Sequence, residues 1–582
     1  MDFAQIYLYV LCGAIGSLVL FIVCRISYPK IEPYIRVRVT HFKYSKIKLG
    51  GTSLAVTGLK ISLLILFLAA NGFLLGVGIS DLAELEQRAA AIASANLMLV
   101  FLGGRTNALA DWVQIPLSIY YVGHRWIGVV ATCEALLHSA LALFRHKKFD
   151  ALTKSGYVAI GGLVVVVFSA ACFRRRCGRF FGLFHLLFSM GALGGLVWHV
   201  CLQQDGKARI PIFVSCGLLG GSHLYRWVWM FILGHTAGNV KNLWDDGNIM
   251  RLQLGTDKPV SVFPGCYFYL FFTGPLPFYD LFHGYAMMPV WSNPDQYVTG
   301  QASDLTFLIS RTVGHHRRSL GSIFPDSRLR LDGPYGKDLK LHTFETVVLT
   351  AKGLGISGIL PFALHLAARK RNDNGLRDKS ARLRDSSEPV FGDLSRHVDL
   401  IWWLEHDDQD RWVHDQLRSL QEIDNKACWT RSLSQLFANS QKFLVVWCIY
   451  PVKRNPERKL PFTSNEFWSR RYNFGFDEFS RELRQEARYP GRTVVVASGE
   501  EKFVNMMRDM VVQNTTSKRL IEFADVEYHT QPGGFKSSFY NPPDSQAVLV
   551  NSNNPSNSQS TPIEMTEMDI SDQHASKVKE FV

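Results

Sequence analysis

The sequence is short of charge and short of cysteines arranged for chemistry. Only 19% of its 582 residues are Asp, Glu, Lys or Arg, against about 25% in a typical soluble domain. Its 10 cysteines contain no Cys-x-x-Cys pair, and Cys12, Cys24, Cys133, Cys172, Cys201 and Cys216 lie in or beside apolar runs. A disulfide framework and a zinc site are therefore not indicated. There is no internal repeat and no calcium-loop pattern. Acids are fewer than bases, 50 against 63, for a net charge of +13. The long apolar runs fall in residues 1 to 235, and the remainder has the composition of a soluble protein with a polar tail. That split excludes a fully soluble enzyme, a fibrous repeat and a mainly disordered chain. Beside apolar spans, the basic excess points to cytoplasmic loops and membrane lipid, not to nucleic acid.

A helix needs about 20 apolar residues to cross a hydrocarbon core of about 30 Å. Seven stretches qualify as candidates: 5–24, 54–79, 89–104, 120–144, 155–173, 180–203 and 210–234. The loop 25–50 (Arg25, Lys30, Arg36, Arg38, Lys43, Lys46, Lys48) and the loop 174–179 (Arg174, Arg175, Arg176, Arg179) are basic and are expected in the cytoplasm. The acidic stretch Asp81, Glu84, Glu86 then faces outward, and the C-terminal half is cytosolic. One loop disagrees: 145–154 is basic and falls outside.

Within these spans, His124 and His138 are 14 residues apart, and so are His185 and His199. At about 100° per residue, that spacing returns to within about 40° on one helix face, after a rise of about 21 Å. Imidazoles in hydrocarbon are costly and face a partner. Two stacked, level pairs (His124 with His185, His138 with His199) are what two bis-histidine haems require. The alternative is that each ring hydrogen-bonds a backbone carbonyl. His223 and His235 lack the pairing.

From about 240 the pattern changes to short alternating strands, including Val260–Val262, Cys266–Leu270 and Leu305–Ser310, which suggest a small antiparallel barrel. Gly333-Pro334-Tyr335-Gly336 reads as a tight turn. Thr346–Ala351 reads as a buried parallel strand leading into Lys352-Gly353-Leu354-Gly355-Ile356-Ser357-Gly358 and a helix, Ile359–Arg369. Glycines let a backbone approach a pyrophosphate, and a helix N-terminus favours it. Further strands are expected at 398–403, 445–450, 493–497 and 526–528. The charged cluster Arg369, Lys370, Arg371 suits a helix C-terminus, the alternative being contact with the 2′-phosphate of a bound dinucleotide.

Gly104-Arg105-Thr106-Asn107, His124-Arg125-Trp126-Ile127-Gly128 and Glu134-Ala135-Leu136-Leu137-His138, with the arginine-rich turn before His185, resemble the ferric-reductase transmembrane domain shared by fungal ferric/cupric metalloreductases and NADPH oxidases. The resemblance extends, with gaps, over about residues 89–530. It implies that His124, His138, His185 and His199 are axial ligands of two b-type haems, and that Arg125 meets a haem propionate or snorkels to the interface. It implies a ferredoxin-reductase-type flavin domain in which His283, Gly284, Tyr285, Ala286 and Met287 occupy the family's His-Pro-Phe-Ser/Thr position, with Arg311 toward the FAD pyrophosphate. Gly333, Pro334, Tyr335, Gly336, Lys352, Gly353, Leu354, Gly355, Gly358, Ser498 and Gly499 would bind NADPH. Gly284, Ala286, Lys352 (usually Gly) and Ser498 (usually Cys) depart from the family pattern.

The expected organisation is 1–88, N-terminal helices and basic loop; 89–235, haem-binding bundle; 236–342, FAD barrel; 343–531, α/β NADPH domain with an insertion near 371–396; and 532–582, a disordered tail. The implied function is electron transfer from cytosolic NADPH through FAD and haem to ferric or cupric chelates across a membrane, by default the plasma membrane. The alternatives are superoxide production from oxygen and a non-catalytic membrane subunit.

Overall fold

The computed structural model describes residues 32–49, 52–101, 117–145, 150–173, 178–203, 209–231, 237–245, 249–272, 285–287, 289–291, 296–310, 325–382, 391–405, 409–429, 443–450, 468–472, 476–486, 491–516 and 520–526. The expected span 5–24, the segments 104–107 and 174–177, His235, Tyr528 and the tail 532–582 lie outside the described residues.

The N-terminal half begins with α1 (Glu32–Tyr44) and a hairpin, β1 (Lys46–Leu49) and β2 (Thr52–Thr57). Among the described residues six helices follow: α2 (Gly58–Gly76), α3 (Leu82–Phe101), α4 (Leu117–Arg145), α5 (Ala151–Cys172), α6 (Gly178–Leu202) and α7 (Arg209–Phe231). Among the described residues, four stretches are long and apolar enough to cross a membrane: Gly58–Gly76, Tyr120–Arg145, Ala151–Cys172 and Phe184–Leu202. The span expected from residue 54 starts later, because 52–57 pairs with β1 as a strand. The helix that covers most of the span expected from residue 89 starts earlier, at Leu82, carries Glu84, Glu86 and Arg88 in its first turns, and is not among those four.

Small residues bring α5 and α6 together. A Cβ on Gly162 would stand 2.8 Å from Ala192 Cβ, and one on Gly195 would stand 2.8 Å from Ala159 N. Helices in lipid gain their packing from such close approach, since apolar side chains find tails as agreeable as each other.

Among the described residues, the C-terminal half holds two sheets. Seven antiparallel strands run in the order β6-β5-β9-β3-β4-β8-β7. They are β3 (Ala237–Asp245), β4 (Ile249–Ser261), β5 (Cys266–Phe272), β6 (Tyr285–Met287), β7 (Pro289–Trp291), β8 (Gln301–Ser310) and β9 (Arg328–Gly336). Six parallel strands form the second sheet in the order β13-β12-β11-β10-β14-β15. These are β10 (Thr346–Lys352), β11 (His397–Trp403), β12 (Leu444–Tyr450), β13 (Trp468–Tyr472), β14 (Thr493–Ser498) and β15 (Ile521–Asp525). Their crossovers include α8 (Ile356–Arg382), α9 (His414–Trp429), α10 (Phe476–Glu486) and α11 (Glu501–Asn514). Strand β10 is buried along Thr346–Ala351, as parallel strands covered on both faces must be.

Three expectations need correction. Among the described residues the last strand is Ile521–Asp525 and Val526 lies beyond it, while Glu527 and Tyr528 lie outside the described residues. Helix α8 continues to Arg382, through much of the stretch read as an exposed insertion, so Arg369, Lys370 and Arg371 are mid-helix and the helix-end explanation for them fails. Arg369 instead grips Asp393 with Nε at 2.8 Å and stacks on Phe391 at 4.0 Å. The segment 333–336 is the end of strand β9, not a free turn. Tyr335 lies opposite Tyr267 and Gly336 opposite Cys266 in the ladder with β5. Gly336, at φ 108°, sits where a Cβ would meet Gly265 O at 2.6 Å.

The two halves touch at one end of the bundle. Tyr120 and Tyr121 of α4 pack against the core shared by the two sheets. Helix α1 docks on β15: Arg36 Nη1 donates to Glu522 Oε1 at 2.7 Å, and Tyr44 Oη donates to Phe523 O at 3.0 Å. Burial, and then the charge of Asp525, holds the Tyr44 phenol above its usual range. The basic segment that contains α1 therefore lies at the same end of the bundle as the parallel sheet.

Candidate functional site

Helices α4 and α6 place the four membrane histidines in two facing pairs. The His124 and His185 rings lie 6.1 Å apart, centroid to centroid, at an interplanar angle of 60°. The His138 and His199 rings lie 6.3 Å apart at 76°. The first pair is one turn along α4 from Tyr120, hence at the end of the bundle that touches the sheets. The second pair lies about 21 Å further along.

A metal ion bound at about 2 Å from one nitrogen of each ring spans a centroid separation of about 6 Å, so both pairs fit such an ion between them. Hydrogen bonding orients the second pair. His138 Nδ1 is 3.1 Å from Glu86 O, and His199 Nδ1 is 3.0 Å from Leu152 O and 3.2 Å from Ser155 Oγ. A proton on Nδ1 directed at a carbonyl leaves the Nε2 lone pair free for a metal. The carbonyl contacts weighed as an alternative to ligation are therefore present, and they are compatible with it. In the first pair, His124 Nδ1 and His185 Nδ1 are buried without a hydrogen-bond partner among the described residues. Arg125 is exposed, with its guanidinium 5.8 Å from the Trp126 ring centroid.

Three features around these rings were not legible as a site in the sequence. Arg145 forms an ion pair with Glu86, the residue whose carbonyl orients His138. The first cation of the basic loop that broke the topology rule is thus neutralised within the bundle. Asn96 Nδ2 donates to Asn71 Oδ1 and to Glu134 Oε2, each at 2.8 Å, joining α2, α3 and α4 through buried polar groups. The Glu134 Oε1 atom is buried without a partner among the described residues. Spacing alone could not show that these residues converge.

In the C-terminal half, the parallel sheet builds a cradle where its strand order reverses, between β10 and β14. The turn after β10 and the turn after β14 are in contact: a Cβ on Gly355 would stand 2.1 Å from Ser498 O. Gly353 takes φ 52° and Gly499 φ 151°, and Trp402 Nε1 donates to Gly353 O at 2.9 Å. Leu354 packs on the core and Gly358 is buried in the first turns of α8. Ser498 is fully buried, with Oγ lacking a partner among the described residues. Lys352 Nζ lies 3.6 Å from Glu405 Oε1 and 3.9 Å from Glu500 Oε2. Neither carboxylate was anticipated. Ligands of doubly wound sheets bind at this edge, where backbone N–H groups at a helix N-terminus meet phosphate. The segment Gly333–Gly336 reaches the same neighbourhood, because Gly265, beside Gly336, would place a Cβ 2.8 Å from Phe362 of α8.

Of the residues expected at a flavin, His283, Gly284 and Arg311 lie outside the described residues. Tyr285, Ala286 and Met287 form β6, at the end of the antiparallel sheet, paired on one side with β5. Among the described residues β6 has no strand on its other side, and an edge strand's backbone donors and acceptors suit a polar ring system. Cys266 on the neighbouring strand has its thiol pushed up to about 12 by burial, so it is inert.

The fold and these sites define a class: a helical membrane bundle with two stacked histidine pairs, fused to an antiparallel sheet and a doubly wound nucleotide-type layer. The family model described as "Ferric reductase like transmembrane component" matches residues 89–196, which include the first three of the four histidines. Similar curated proteins include ferric reductase transmembrane components 4 and 5 of Saccharomyces cerevisiae. The first is 24% identical over 283 residues, 46% of this chain and 38% of that protein. The second is 22% identical over 308 residues, 50% of this chain and 42% of that protein. The chain thus spans about two fifths of the curated relatives it matches. A solved ferredoxin NADP+ reductase from Neisseria gonorrhoeae aligns at 13% identity and a TM-score of 0.31, covering 50% of this chain and 98% of that one. The similarity to ferric reductases that the family model detects lies in the transmembrane region, residues 89–196.

Proposed function

We propose that this chain is a transmembrane oxidoreductase that takes reducing equivalents from a reduced nicotinamide nucleotide, NADPH by family resemblance, and delivers single electrons to a ferric or cupric chelate across the membrane. The observation that carries this reading is the pair of facing histidine rungs, with centroid separations of 6.1 and 6.3 Å, the first at the end that meets the sheets.

His124 with His185 and His138 with His199 would hold two haems, and β6, with His283, Gly284 and Arg311 by family resemblance, would hold FAD. Bound, these groups supply the step from hydride to single-electron chemistry that side chains lack. The chain's own residues do the positioning. Glu86 and Leu152 carbonyls fix the second pair of rings. The glycine turns at 353–355 and 499 clear a path for phosphates, and the contact of Tyr120 and Tyr121 with the sheet core keeps the electron source at one end. In this reading the sheets and the basic segment 32–49 are cytosolic, the membrane is by default the plasma membrane, and seven spans cross it.

The test is reduction of a ferric chelate by purified, membrane-reconstituted protein with nicotinamide nucleotide on the sheet side. Reduction that persists with superoxide dismutase supports direct transfer to metal. Complete inhibition by the dismutase assigns oxygen as acceptor, and haem binding without nucleotide-driven reduction supports a non-catalytic subunit.

A further inference from the structure

We infer that Glu405 makes the nucleotide site select a dinucleotide with a free ribose 2′-hydroxyl, NADH, over the 2′-phosphorylated NADPH. The inference rests on the nucleotide part of the proposed function and corrects the cofactor that family resemblance implies.

In a doubly wound sheet the pyrophosphate lies on the first strand's glycine turn, and the adenosine ribose extends toward the tip of the second strand. An acid at that tip hydrogen-bonds the 2′-hydroxyl, whereas an arginine there accommodates a 2′-phosphate. Here the first strand is β10, the second is β11, and Glu405 is the second residue beyond β11. Its carboxylate lies across the glycine turn itself, since a Cβ on Gly353 would stand 2.6 Å from Glu405 Oε2. The position is fixed from both sides. Gln409 Oε1 accepts from Glu405 N at 2.8 Å, and Trp402, three residues earlier, is clamped to Gly353 O at 2.9 Å.

The one cation paired with this acid among the described residues does not offset it. Lys352 is shared between Glu405 and Glu500, at 3.6 and 3.9 Å, so these three groups together carry a net negative charge. Arg369, further along α8, is engaged with Asp393 and Phe391. A dianionic phosphate would enter a negative rim, while a hydroxyl would meet an acceptor. The buried Ser498 hydroxyl, without a partner among the described residues, is a second polar group at the same cradle.

The experiment is titration calorimetry of the full chain in nanodiscs with NADH and NADPH. It is repeated with adenosine diphosphate ribose and its 2′-phosphate, which report on the adenosine end independently of flavin and haem. The unmodified protein is expected to bind the 2′-hydroxyl member of each pair at least about tenfold more tightly. Glu405→Gln, close in volume, narrows that ratio, and Glu405→Arg reverses it. Equal or tighter binding of the 2′-phosphorylated member, or a ratio unchanged in Glu405→Arg, overturns the inference while leaving the nucleotide site intact. Failure of all four compounds to bind overturns the nucleotide reading itself.

Discussion

His138 on α4 and His199 on α6 face each other at 6.3 Å, and each has its Nδ1 set against a main-chain carbonyl, of Glu86 on α3 and Leu152 on α5. Four helices thus cooperate to aim two imidazoles. The spacing of α5 and α6 is part of that aim. Gly162→Leu pushes a side chain into Ala192, whose Cβ is 2.8 Å from the added Cβ. Overpacking of this kind costs about 1–3 kcal/mol. The variant is expected to unfold at lower temperature in detergent and to weaken b-type absorption from the second pair, whereas Gly161→Leu, facing open space, changes neither.

The buried chain Asn71–Asn96–Glu134 should act as one unit. Asn96→Leu leaves Glu134 without the amide that satisfies Oε2, at a cost of about 1–3 kcal/mol for an unpaired buried group. Replacing Glu134 by Leu as well removes the stranded carboxyl and should restore most of the loss. Thermal unfolding of the singles and the double gives the coupling directly. Additive losses would show that the polar groups do not depend on one another.

Gly355→Ala places a methyl 2.1 Å from Ser498 O, at the contact between the two turns of the cradle. The turns must separate, and affinity for adenosine diphosphate ribose is expected to fall at least about tenfold while the histidine pairs keep their spectra. Calorimetry and absorption on the same sample check both halves of the expectation.

The docking of α1 should be pH-dependent on the alkaline side. The Tyr44 phenol is raised by burial and by Asp525, so it holds its proton longer docked than free. Docking is at full strength below the free phenol's value of about 10 and weakens as pH rises above it. Tyr44→Phe loses the bond to Phe523 O, about 1 kcal/mol, and loses this pH dependence with it. Hydrogen exchange in α1 from pH 8 to about 10.5 reads the difference.

The sequence carried the periodic features well and the convergent ones poorly. A 14-residue spacing fixes two imidazoles on one helix face wherever the helix lies, so the two histidine rungs could be anticipated before any packing was known. The strand, glycine turn and helix around 346–358 were legible for the same reason: each is a local pattern with a local cause. The helix runs past Arg369, although a charged, Asn-rich stretch reads as exposed loop, because Asp373 accepting from Phe391 N and Gly392 N, together with the Arg369–Asp393 pair, ties the longer helix to the segment that follows it. The tight turn assigned to 333–336 is a strand end because β5 supplies the partner. Glu405, Glu500 and the Asn96–Glu134 contact depend on residues tens of positions apart, and nothing in their own neighbourhood announces them.

The central claim is that the rungs hold two one-electron centres, each made by one residue from α4 and one from α6. It is tested most directly by reduced-minus-oxidised spectra of protein in which His124, His138, His185 and His199 are replaced by alanine one at a time. The expected result is loss of one b-type component in both His124→Ala and His185→Ala, and loss of the other in both His138→Ala and His199→Ala. Retention of both components in all four variants, or no b-type absorption in the unmodified protein, would contradict it.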